Sequence, residues 1–281
     1  MGFRVRRARE EDIPLILPWV QDTFDWGDYV PDVLPVWVAD PDSVLLVAVD
    51  DHDRPWAITH ALMLSASEGW LEGARVHPDR QRRGLGKALN EAGVAWLKER
   101  EATVVGLAAE ADNEAVSNQM KLLGYLPISR WLHAQLEVPG DDVCPPGLHL
   151  RRAVSADVDP AWMFWSTSDL AHEGRGMLAE GWRWRKAKPE DLLAAVRRGD
   201  FFQAPTGWAI VDQPDETRLR LLWLATSRPD APRLLEALLD LARSREVETV
   251  SLKVPSLPWL AETLIRAGAE PGEVIVYWKA V

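Results

Sequence analysis

The sequence predicts an α/β (α+β) protein made of two similar domains in tandem, each a β-sheet flanked by helices. Three observations carry this. Strand-like and helix-like hydrophobic patterns alternate along all 281 residues. A basic, glycine-bearing loop joins a strand to a helix near the middle of the first half. The order of elements in the first half then returns at a spacing of roughly 150 residues.

The first strand is expected over residues 3–9, where Phe3 and Val5 alternate with Arg4 and Arg6. Residues 11–23 read as a helix, with Pro14 tolerated in its first turn. An aromatic and acidic loop, Phe24 to Pro31, precedes a short helix over 33–39. Strands follow over 43–50, 56–65 and 70–76, the first two separated by a turn at 51–54. From Leu85 the period becomes helical, since Leu85, Ala88, Leu89, Ala92 and Trp96 share one face. Residues 103–108 are a strand, and Asp112 or Asn113 caps a helix that ends at Gly124. A last strand lies near 131–138. Pro139-Gly140-Asp141-Asp142 and Pro145-Pro146-Gly147 have linker composition. The expected domains are therefore 1–140 and 148–281, joined by 141–147.

In the second half, Leu148–Ala153 mirrors Phe3–Ala8. Helices are expected over 157–171, 189–198, 231–245 and 258–267, and strands over 207–212, 218–226, 247–254 and 274–278.

The segment Val76-His77-Pro78-Asp79-Arg80-Gln81-Arg82-Arg83-Gly84-Leu85-Gly86-Lys87-Ala88 is built to hold an anion. First-turn N–H groups have no partner inside a helix, and the helix dipole favours negative charge there. Gly84 and Gly86 let phosphate oxygens approach the main chain, and Arg82, Arg83 and Lys87 add charge. The loop is not a mononucleotide P-loop, because Ala88 follows Lys87 where Ser or Thr is needed. Nor is it a dinucleotide fingerprint, because Leu89 occupies the third glycine position.

Gln81-x-x-Gly84-x-Gly86 after a strand resembles the acyl-CoA pyrophosphate loop of the GNAT superfamily of N-acetyltransferases. Asn113, ten residues and Gly124-Tyr125 are similar to the helix that flanks the pantetheine arm in that family. The resemblance implies two mixed, mostly antiparallel sheets and acetyl-CoA as co-substrate. It places the cofactor on Ala74, Arg75, Val76, the loop from Gln81 through Leu85 to Ala88, Asn113 and Ser117. It implies direct transfer of an acetyl group to an amine. Gly73 is expected to form a bulge, and Glu72 is the candidate base, on the same strand face as Val76. Trp26, Tyr29 and Glu72 are candidate acceptor contacts, with Trp37 a further cleft residue. Family members commonly carry a tyrosine acid seven residues after the asparagine, where this chain has Met120. Tyr125 is expected in the core.

Glu72-Gly73-x-Arg75-Val76 also resembles a branch that includes histidine N-acetyltransferases, which makes a free amino acid one candidate acceptor and Arg75 a candidate for its carboxylate. The loop's counterpart, Ser227-Arg228-Pro229-Asp230-Ala231-Pro232, has no glycine, and its prolines remove main-chain donors. One acyl-CoA site, in the first half, is expected; the second half is a degenerate copy.

A formal charge of −11 argues against nucleic acid as partner. The single Cys144 excludes an intrachain disulfide, and no histidines sit at metal-ligand spacing. No apolar run reaches membrane-spanning length, and no secretory leader or myristoylation pattern is visible. The expectation is a cytoplasmic monomer or homodimer with no metal, membrane or nucleic-acid partner. Its function would be small-molecule amine acetylation, with a non-catalytic acyl-CoA sensor or a protein acetyltransferase as alternatives.

Overall fold

The computed structural model describes residues 2–21, 28–140 and 150–281. The expected linker 141–147, Cys144, His149 and Trp26 lie outside the described residues. The chain forms two compact units, 1–107 with 118–126 and 277–281, and 108–117 with 127–276.

The first unit begins with β1 (Arg4–Arg7), a 3-10 turn at Glu10–Asp12, α1 (Ile13–Val20) and α2 (Val30–Ala39). Proline in the first turn of each helix loses no bond, because those N–H groups lack intrahelical partners. Strands β2 (Ser43–Val49), β3 (Pro55–Met63) and β4 (Glu68–Val76) form an antiparallel meander with β1. Then comes α3 (Leu85–Lys98), and β5 (Val104–Glu110) pairs with β4 in parallel. One face of the sheet is covered by Ile16, Val20, Val30, Leu34 and Trp37 from α1 and α2, packed on Leu45, Val47, Val49 and Ile58. On α3 the buried face is Leu85, Leu89, Gly93, Val94 and Leu97. A Cβ at Gly93 would lie 2.7 Å from Leu71, so α3 presses directly on β4 there.

Two features of β4 position the site. Its parallel pairing with β5 runs from Glu68↔Val104 to Trp70↔Gly106 and goes no further along β4. Its register with β3 slips by one residue between Ile58↔Arg75 and His60↔Glu72, which makes the expected bulge at Gly73, where φ is +63°. The bulge also corrects one expectation. Glu72 pairs with His60 and Val76 with Ala57, three residues apart on β3. Glu72 and Val76 therefore face opposite sides of the sheet, because the extra residue reverses the alternation.

Helix α4 (Glu114–Leu122) begins after Asn113, with residues 118–122 counted in the first unit, and β6 (Leu126–Glu137), counted from Pro127 in the second, runs antiparallel to a later strand, Thr249–Pro255. Next are β7 (Arg151–Arg152), α5 (Val158–Ser166) and α6 (Asp169–Glu173). The single helix expected over 157–171 is thus broken. Ser168 adopts an extended conformation, and its Oγ accepts from Ala171 N as the cap of a new helix. A hairpin of β8 (Met177–Glu180) and β9 (Arg183–Lys186) follows, with no counterpart in the sequence reading. Then come α7 (Pro189–Arg198), β10 (Phe201–Ala204), β11 (Gly207–Asp212), β12 (Arg218–Thr226), α8 (Ala231–Ser244), β13 (Thr249–Pro255), α9 (Pro258–Arg266) and β14 (Gly272–Ala280). Here too a parallel pair, β12 with β13, sits in an otherwise antiparallel order. The core gathers Trp165, Leu192, Phe201, Trp223, Leu238 and Leu252 among others.

Candidate functional site

The basic loop sits between the end of β4 and α3. His77 caps a 3-10 turn over Pro78–Arg80 by accepting from Asp79 N at 3.2 Å, and its ring packs edge-on against Trp56. The role of His77 is local. Arg80 lies over the same indole, 4.4 Å from its centroid. Arg82 and Gly84 both have positive φ, +58° and +81°. This turns the chain sharply into the first turn of α3. A Cβ at Gly84 would meet nothing within 4 Å, and one at Gly86 only the tips of Gln119 and Val76. The glycines are therefore not demanded by packing; they leave an open approach to the main chain. The first helical bond is from Ala88 N to Gly84 O, so the N–H groups of Leu85, Gly86 and Lys87 have no acceptor within the helix. Gln81, Arg82, Arg83, Gly84 and Lys87 are exposed. Arg82 and Arg83 form no ion pair among the described residues, and Lys87 makes only an exposed contact to Glu91 at 3.8 Å.

On the α1–α2 face of the sheet, the bulge gathers polar groups. Glu72 Oε1 is 2.9 Å from His60 Nδ1, and both side chains are nearly fully buried. His60 Nε2 is 2.8 Å from Ser43 Oγ, which donates to Asp40 Oδ2 at 2.6 Å. Trp37 stacks on the His60 ring at 4.3 Å and 8°. It can do so because residue 73 is glycine: a Cβ there would lie 2.5 Å from the Trp37 ring. Tyr29 meets Trp37 edge-on at 6.1 Å. Arg75 is engaged by Asp28, donating from Nε at 2.6 Å and from its terminal nitrogen at 2.9 Å, while Asp28 also caps α2 by accepting from Val30 N. The guanidinium is thus spent on tying β4 to α2, which argues against a substrate carboxylate there. What Arg75 offers a cofactor is its main chain.

Residues 13–125 match the family model described as the acetyltransferase (GNAT) family. That span is similar to the GNAT acetyltransferase family. Solved structures agree on the fold across the whole chain. A GCN5-related N-acetyltransferase from Sphaerobacter thermophilus is 19% identical at a TM-score of 0.69, covering 99% of this chain and 95% of that one. A tandem GNAT protein from the clavulanic acid biosynthesis pathway is 16% identical at 0.58, covering 99% and 98%. The GCN5-related glucosamine N-acetyltransferase region of a fungal multi-domain GH3 beta-N-acetylglucosaminidase is 14% identical at 0.65, covering 99% of this chain and 38% of that one. No curated protein matches the chain.

The remaining expected residues fall as follows. Ala74 is exposed beside the bulge, and Val76 is half-buried at the end of β4. Asn113 caps α4, its Oδ1 accepting from Val116 N at 3.1 Å and its carbonyl from Ser117 N. Both Asn113 and Ser117 are counted with the second unit. Tyr125 is in the core as expected. Its hydroxyl exchanges hydrogen bonds with Asn90, and burial pushes its pKa up to about 12, so it holds its proton. Met120 is buried in α4. His60, Ser43 and Asp40 escaped the sequence reading. Their one visible signal was a lone Thr59-His60 pair inside an apolar strand.

At the corresponding place in the second unit, residues 227–230 make a loop half as long as residues 77–84. The Ala231 N–H is already bonded to Ser227 O, and Pro232 has none to give. The second unit also has a groove of about 360 Å³ beside Trp162, Trp165 and Ser168. Its Ser166, Thr167 and Ser168 hydroxyls are committed to main-chain carbonyls, which leaves little to orient a ligand.

Proposed function

We propose that the protein is an acetyl-CoA-dependent N-acetyltransferase acting on the amine of a small molecule, with one acyl-CoA site in the first half and a degenerate second half. The observation that carries it is the loop. Two residues of positive φ, Arg82 and Gly84, feed an uncapped helix N-terminus flanked by exposed arginines. That combination fits a diphosphate: main-chain donors, a favourable dipole and room where side chains are absent. The residues that would hold it are Gln81, Arg82, Arg83, Gly84, Leu85, Gly86 and Lys87, with Ala74 to Val76 alongside the pantetheine arm; the Ala88 N–H is already bonded to Gly84 O.

Acetyl transfer requires an ammonium to lose a proton, its nitrogen to bond the thioester carbonyl carbon, and the carbon–sulfur bond to break. Glu72 is the candidate base, held against the bulge by His60. Tyr29 and Trp37 lie on the same side of the sheet and supply aromatic surface for an acceptor. The acidic net charge suits a cationic acceptor. An amino acid stays a candidate through its amine; Arg75 is occupied and does not select its carboxylate. Release of free thiol from acetyl-CoA, measured against a panel of amines and amino acids, tests the proposal. Turnover with at least one small amine is expected; tight acetyl-CoA binding with no turnover across the panel would overturn it.

A further inference from the structure

We infer that Glu72, His60, Ser43 and Asp40 form a proton wire, in which Glu72 and His60 hold a single proton between them and Asp40 passes the acceptor's proton to solvent. The part about catalysis rests on the acetyl-transfer proposal; the part about protonation does not.

The directions of the hydrogen bonds leave one arrangement. Asp40 is the residue at which α2 ends, and it is half-buried. Its ionised carboxylate can only accept, so the 2.6 Å contact takes the one proton of the Ser43 hydroxyl. Ser43 Oγ must then accept from the other side. The group 2.8 Å away is His60 Nε2, which therefore carries a hydrogen. At the opposite nitrogen, Nδ1 and Glu72 Oε1 are 2.9 Å apart. Two bare lone pairs do not meet at that distance, so one proton lies between them. The pair is either carboxylate with imidazolium or carboxylic acid with neutral imidazole. Both are neutral overall, which is what burial favours.

Neutrality gives the wire its use. An isolated buried carboxylate that took up the acceptor's proton would change the charge of the site. Here Glu72 takes the proton, Nε2 gives its own to Ser43, Ser43 gives its own to Asp40, and Asp40 discharges it. One proton enters, one leaves, and the buried pair stays neutral. The reset runs the other way: Glu72 gives its proton to the coenzyme A thiolate released by carbon–sulfur cleavage, and Asp40 takes one up from solvent. Trp37, stacked flat on the ring, holds both nitrogens on line. Glu72 is the group that meets substrate; His60, Ser43 and Asp40 act through it as positioning and relay residues.

The test uses the full-length protein with 15N-labelled histidine rings at pH 7, with H60Q assigning the His60 signals. A protonated Nε2 on His60 is expected, and its signal should shift in S43A. A His60 that carries its proton on Nδ1 alone would overturn the inference. In parallel, thiol release is followed for S43A, D40N and S43T. The expected result is an approximately tenfold lower kcat for S43A and D40N, an unchanged KM for acetyl-CoA, and recovery in S43T, which restores the hydroxyl. Wild-type kcat in S43A would overturn the wire. If the wild-type protein releases no thiol with any amine, the acetyl-transfer proposal falls, and the His60 tautomer alone decides whether the proton is held as inferred.

Discussion

Arg6 clamps Asp12 through two hydrogen bonds of 2.7 and 2.8 Å in the first unit, and Arg151 clamps Asp157 through bonds of 2.9 and 2.8 Å in the second. Each aspartate also accepts from the main-chain N–H three residues before it, Arg9 and Val154 respectively. Further along, Ala57↔Val76 and Ala61↔Leu71 in one unit correspond to Gly207↔Thr226 and Val211↔Leu221 in the other, every position raised by 150. A bulge returns as well, one position earlier than the offset gives, at Leu222. By that register Glu72 corresponds to Leu222 and His60 to Ile210, both buried and apolar. Leu45↔His60 and Phe201↔Ile210 then set Ser43 against Gly199. The backbone plan was kept in both copies. What differs is the polar chain, whose Glu72 and His60 give way to core residues, and the glycine loop, which gives way to the shorter residues 227–230. Sheet and clamp are shared framework; the polar chain and the loop, where the proposed chemistry lies, belong to the first unit alone.

If this division is right, the largest effect should come from Glu72. E72Q is expected to lower turnover about 10²- to 10³-fold while leaving acetyl-CoA affinity in place, measured by thiol release and calorimetry. The matching change L222A should leave turnover near wild type and act on stability alone, costing about 2–3 kcal/mol as a core truncation in chemical denaturation. Equal loss of turnover in both would erase the contrast.

The clamps should come next. Asp12 is 2% exposed and its Arg6 partner mostly buried, whereas the Arg151 side chain is 54% exposed. R6A leaves a buried carboxylate unpaired and is expected to cost about 3 kcal/mol. R151A should cost clearly less, because water takes the place of the lost partner. The framework reading is sharpened if both variants keep acetyl-CoA affinity.

Gly73 ties framework to chemistry. G73A forces a Cβ into the Trp37 ring at a positive φ. A cost of about 1–3 kcal/mol is expected, together with loss of turnover, since the ring that braces His60 must move. No position in the second unit should couple the two readouts.

The smallest effect concerns a charge buried in the second unit. Burial first, then repulsion from Arg220 and Arg218, brings the Lys253 ammonium down from the usual 10.5 to about 8, while it sits 4.4 Å from the Trp182 ring. Between pH 8 and 10.5 the unfolded chain binds more protons than the folded one, so stability rises with pH across that window. Below pH 8 both states are charged and the full burial cost remains. K253M should therefore raise Tm at pH 7, by an amount that shrinks as pH rises from 8 and vanishes only above 10.5.

Much of this was legible in the sequence. The loop announced itself because its chemistry is contiguous: glycines, arginines and a helix start lie within a dozen residues. The bulge at Gly73 was readable for the same reason. His60, Ser43 and Asp40 were not, because β2, β3 and β4 bring them together only once the register is fixed. The same register error put Glu72 on the face of Val76, since strict alternation cannot count a bulged residue. The broken helix at Ser168 and the β8–β9 hairpin reflect a serine cap and short, charged strands, where hydrophobic period carries little information. Helices α7, α8 and α9 were placed closely because their apolar stripes are long and their ends are marked by Pro189, Pro258 and Gly268.

The division between the two copies comes down to how many acyl-CoA molecules one chain holds. Calorimetric titration of the purified full-length protein with coenzyme A, repeated for R82E/R83E, measures this directly. One molecule per chain is expected, with binding weakened at least tenfold in the double variant. Two equivalent molecules per chain, or one whose affinity ignores Arg82 and Arg83, would contradict the account.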